Sequence, residues 1–63
     1  MISDSELLEM AKLAYAAYGH STGHKNYQGN PMPQWDALTL QIQAAWIAAV
    51  MSVVNQLKAI GET

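Results

Sequence analysis

Six side chains between positions 15 and 35 could together bind a small charged ligand. They are Tyr15, Tyr18, Thr22, Lys25, Asn26 and Trp35. Aromatic rings stack on planar groups, lysine supplies a point charge for an anion, and an amide both donates and accepts. On this reading Tyr18 and Trp35 clamp a ring and Lys25 meets a phosphate. Asn26 reads a polar edge, with Tyr15 and Thr22 in support. Tyr27 lies in the same run and could join the clamp. The structural alternative is plain. Asn26 and Gly29 would only shape a loop, and Tyr15, Tyr18 and Trp35 would form a small satellite core.

Catalytic and metal readings of the same stretch are weaker. His20 and His24 are four residues apart, but they sit in a Gly-rich segment, and no cysteine or nearby carboxylate completes a tetrahedral set. Two exposed loop histidines are the expectation. Ser21 and Thr22 beside His20 lack an orienting third group for nucleophilic catalysis. Asp36 has no partner carboxylate in the loop and is expected to cap a short turn. The chain is therefore expected to be no enzyme and to hold no cofactor or metal.

The elements that position these residues follow from spacing. Ser3 and Glu6 form a capping box, and Leu7, Leu8, Met10, Ala11, Ala14, Tyr15 and Tyr18 recur at helical intervals. The first helix is expected from about Asp4 to Tyr18, stopped by Gly19. A connector from Gly19 to Pro33 follows, much longer than the usual ~4–6 residues. Tyr27, Met32 and Trp35 can anchor it and Pro31 and Pro33 stiffen it, so it is expected to be ordered, with a helical turn from Pro33 to Leu38. The second helix is expected from Leu40 to Ile60, with Thr39 as N-cap and Gly61 past its end. It carries two apolar stripes. One is Ile42, Trp46, Ala49, Val50, Val53, Leu57 and Ile60, with Trp46 read as core. The other is Leu40, Ala44, Ile47, Met51 and Val54.

The fold class is thus all-α, in one domain over residues 1–63: two main helices, a long ordered loop and a short helical turn. One partner helix cannot cover two stripes, so a homo-oligomer through residues 40–60 is expected. Composition agrees: 51% of residues are hydrophobic and only 13% charged. A lone core in so short a chain is marginal.

Three lysines, no arginine and a net charge of −2 argue against long nucleic acid as partner. A small anion needs only one or two cations. The N-terminus has no basic n-region, so no signal peptide is expected. The apolar stretch Ala44–Val54 is too short to span a bilayer, so no membrane partner is expected. The absence of cysteine fits a reducing cytoplasm.

The run Ala14-Tyr-x-x-Tyr-Gly-x-x-Thr-Gly-x-Lys-Asn-x-x-Gly-x-Pro-Met-Pro-x-Trp-x-x-Leu38, followed by Ala45-Trp46, resembles a family of small proteins encoded by bacteriophages and prophages. The resemblance covers roughly residues 8 to 55. The layout also resembles, more distantly, the RyR domain, through Tyr15, Tyr18, Pro33, Trp35 and Leu38. This chain is shorter and poorer in basic residues than RyR repeats. The resemblance implies a non-catalytic sponge in the host bacterial cytoplasm, which holds a nucleotide-derived immune signal away from a defence effector. The competing reading is a helical protein-interaction module, an adaptor or inhibitor that uses the apolar stripe of the second helix.

Overall fold

In a computed structural model, residues 2–26 and 28–61 are described. The chain forms helix α1 (Asp4–Ser21), a loop, a single 3-10 turn (Trp35–Ala37) and helix α2 (Leu40–Gly61). The all-α, two-helix architecture with a short helical turn stands. Tyr27, expected to anchor the loop, lies outside the described residues.

Helix α1 starts at the capping box. Ser3 Oγ accepts from Glu6 N at 3.2 Å, and Glu6 Oε1 accepts from Ser3 N at 3.1 Å. The hydrogen bonds from the Ser3 backbone and hydroxyl hold the Glu6 carboxyl below its ordinary value. Helix α1 then runs past Gly19 to Ser21, so Gly19 is not the stop. The stop is a Schellman-type end. Thr22 is the C-cap, Gly23 follows at φ +67, and His24 N donates to Gly19 O at 2.7 Å. Gly19 is small for another reason. A Cβ there would meet His24 Nδ1 at 3.3 Å and the Met32 thioether at 3.6 Å. The glycine lets the loop fold back onto the helix.

The described residues of that loop carry several hydrogen bonds. Met32 N donates to His24 O at 2.8 Å and Asn26 N to Asn30 O at 2.8 Å, and Lys25 and Pro31 form an antiparallel bridge. The turn that follows has Gln34 as N-cap without a side-chain bond. Asp36 is inside the turn rather than capping it, which corrects that expectation. The Gln43 amide of α2 instead secures the turn by donating to Trp35 O at 2.9 Å. Thr39 caps α2, its Oγ1 accepting from Ile42 N at 3.2 Å.

The two helices pack antiparallel. Tyr15 and Tyr18, late in α1, meet Trp46, early in α2. At the other end Ile2, Asp4 and Leu7 share a shallow cleft with Met51, Val54 and Lys58. Buried hydrophobic residues among those described are only Ala11 and Val54. Trp46 is half-buried, not the enclosed core residue expected. The side of α2 that α1 covers is Gln43, Trp46, Ile47, Val50 and Val54, which takes members from both apolar stripes. The rest stay outside: Leu57 is 63% exposed, Val53 61% and Leu40 82%.

The shape records the same deficit. The chain exposes 4969 Å², whereas a compact folded monomer of its mass exposes about 4,000 Å². Its radius of gyration is 13.2 Å, against about 10.6 Å for a compact chain of this length. Helix α2 also bears on the membrane expectation. Over its 22 residues it is long and apolar enough, by length and composition alone, to cross a membrane. Leu40, Ile42, Leu57 and Ile60 extend the apolar length beyond Ala44–Val54.

Candidate functional site

Tyr15 is the pivot of the loop end. Its ring stands edge-on to Trp35, with centroids 5.9 Å apart, and edge-on to Trp46 at 5.5 Å. Tyr18 stands edge-on to the same Trp46 at 5.6 Å. Such pairs contribute about 0.5–1.5 kcal/mol each beyond area burial. The Tyr15 hydroxyl donates to Pro33 O, which ties the loop to α1. Burial raises the Tyr15 pKa, so the phenol keeps the proton that this bond uses.

Two open clefts lie on either side of a wall made by Tyr15, Met32 and Pro33. The first, about 480 Å³, faces α2 and is bordered by Tyr18, Asn26, Leu38, Ile42 and Trp46. It is lined almost wholly by apolar and aromatic surface, the usual makeup of a small-molecule site. The second, about 420 Å³, lies along α1 and is bordered by Lys12, His20, His24, Gln34 and Trp35.

The six sequence candidates divide between these places. Tyr15 lines both clefts, Tyr18 and Asn26 line the first, and Trp35 lines the second. Trp35 and Tyr18 are therefore on opposite sides of the Tyr15 wall and do not face each other as a two-sided clamp. Thr22 and Lys25 line neither cleft. The Thr22 hydroxyl donates to Tyr18 O at 3.0 Å and finishes the helix. Ser21 Oγ does the same at 3.1 Å, so both hydroxyls beside His20 are engaged with backbone. Lys25 is exposed on the bridged part of the loop. Asn26 works first as a loop former. Its Oδ1 accepts from Gln28 N at 2.9 Å and Asn30 N at 3.0 Å, the Asx-turn arrangement.

Residues that sequence reasoning missed are Lys12, Met32 and Ile42 as cleft walls, and Trp46 as a ring shared by Tyr15 and Tyr18. One signal was available. Lys12, Ala16 and His20 recur every four residues and so lie on one helix face. The His20 and His24 ring centroids are 5.7 Å apart. No group of three metal-ligating side chains occurs among the described residues.

No family model, no curated protein and no solved structure matches the chain. The descriptions drawn from the sequence resemblance, namely bacteriophage, RyR-like, nucleotide-binding, anti-defence and sponge, have no match behind them and are corrected accordingly. What stands of that description is the all-α architecture.

Proposed function

We propose that the protein is a non-catalytic binding subunit of a cytoplasmic homo-oligomer. An outer face of α2 that bears Ile42, Val53 and Leu57 buries against copies of itself, and each subunit offers the aromatic cleft beside its loop to a small ligand. The observation that carries this reading is the mismatch between core and surface. Among the described residues only Ala11 and Val54 are buried hydrophobics, while Ile42, Val53 and Leu57 stand exposed along one flank of α2 and Met51 along the opposite flank. The excess exposed area, about 1,000 Å², is close to the ~800 Å² per partner that a standard interface covers. Ile42 belongs both to this outer face and to the rim of the aromatic cleft. A second copy packed there would sit at the mouth of the cleft and narrow it.

The second reading, a module that offers α2 to a different protein, rests on the same exposed face, since large apolar patches mark partner sites. Native mass spectrometry of the protein taken gently from cells separates the two. A multimer that releases a small molecule on denaturation supports the binding subunit. A monomer, alone or with a foreign protein on α2, overturns it.

A further inference from the structure

The cleft along α1 has a composition that the aromatic cleft lacks. Lys12, His20 and His24 border it together, with Trp35 and Tyr15 beside them. Among its described lining residues none is acidic. The chain as a whole carries more acids than lysines, so this local balance runs against its net charge of −2.

Its geometry is specified by the fold. Lys12 and His20 are two turns apart on one face of α1. His24 comes from the loop, and three features hold it there. Its N–H is bonded to Gly19 O, its carbonyl accepts from Met32 N, and its backbone lies at φ +62. A left-handed conformation is uncommon for a residue with a Cβ and carries a cost. The helix end absorbs that cost, and Gly19, lacking a Cβ, lets the His24 ring approach. Lys12 is only lightly engaged. Its contact with Glu9 is 3.7 Å long between exposed side chains, a kind of pair that holds weakly. The ammonium can turn into the cleft without leaving a buried carboxylate behind.

We infer that this cleft is a second binding site, and that it takes a small organic anion carrying a planar ring. Lys12 meets the charge, the two imidazoles donate N–H bonds to the same anionic group, and the ring lies against Trp35. The cation assigned to the anion is Lys12, not Lys25. The site lies within one subunit and does not depend on the self-association proposed above.

The test is an NMR titration of the wild-type protein, reading the imidazole signals of His20 and His24. The probes are phenyl phosphate, inorganic phosphate and phenol. Phenyl phosphate is expected to move both signals saturably and to bind more tightly than either half alone. Lys12→Gln should weaken it about tenfold, the loss of one charge-assisted contact, and Lys12→Arg should restore most of the affinity. Lys25→Gln should leave it unchanged. Still signals up to about 10 mM probe, a range that reaches even weak sites, would overturn the site. Equal losses from Lys12→Gln and Lys25→Gln would overturn the assignment of the cation. Inorganic phosphate binding as tightly as phenyl phosphate would overturn the role of the ring.

Discussion

The loop end of the hairpin and the outer face of α2 satisfy their groups in opposite ways. At the loop end, aromatic rings meet edge to face from Trp35 through Tyr15 and Trp46 to Tyr18. Backbone groups of the loop find partners in Asn26, Gly19, His24 and Gln43. Helix α2 instead presents isoleucine, valine and leucine to solvent along one flank, and Leu40 and Met51 along the other. One region finds partners for its rings and backbone groups largely within the chain; on the function proposed above, the other finds them in a second copy. Changes at the loop end should therefore act on the fold of each subunit, and changes on α2 should act on assembly first.

The largest expected effect lies on the outer face. Val53→Glu with Leu57→Glu should abolish self-association, because burying two such side chains stabilises by about 3–6 kcal/mol in sum. Light scattering should show the mass falling to that of one chain. A variant that stays multimeric would place the interface elsewhere.

Trp46→Ala comes next and strikes the opposite region. It removes the shared ring of two edge contacts, at a cost of about 3 kcal/mol, the low end for losing a large aromatic because the ring is only half-buried. Circular dichroism should show a lowered melting temperature and reduced helix content. An unchanged melt would mean that the cluster contributes little to the fold.

Tyr15→Phe sharpens the comparison further. The ring contacts remain while the bond to Pro33 O is lost, at a cost of about 1 kcal/mol. Hydrogen exchange should speed in the loop and stay constant in the middle of α2. Equal acceleration in both would show that the two regions are not separable.

The smallest effect is a pH dependence at the start of α1. Glu6 has a lowered pKa, chiefly through the hydrogen bond from the Ser3 backbone. A depressed carboxyl stabilises the fold above its unfolded value, near 4.5, and that contribution fades as pH falls through the lower folded value. Thermal melts from neutral pH into that acidic range should lose a small increment that Glu6→Gln lacks throughout. Parallel curves for the two proteins would remove Glu6 as the cause.

Much of this was legible beforehand. The Ser3–Glu6 box, the Thr39 cap and the turn near Trp35 depend on nearby residues, and local chemistry settled them. Sequence alone places the end of α1 at Gly19, because a glycine that permits close packing looks, in sequence, like a glycine that ends a helix. Only the fold shows that Met32 and His24 lie against it. The six candidate binding residues were grouped by closeness in the chain. The wall of Tyr15, Met32 and Pro33 separates them in space, and Lys12, distant from the loop in sequence, lies on the same helix face as His20. The two apolar stripes of α2 were visible as apolar, but which residues α1 would cover depends on how the helices are rotated. Trp46 and Val50 from one stripe and Ile47 and Val54 from the other turn inward together.

Sedimentation equilibrium of the wild-type protein over a wide dilution series, with helix content followed in parallel, tests the central claim most directly. If copies of α2 cover one another, the mass will be a multiple of 6.9 kDa, and helicity will fall as dilution separates the subunits. A 6.9 kDa species that keeps its full helix content at every concentration would contradict the account.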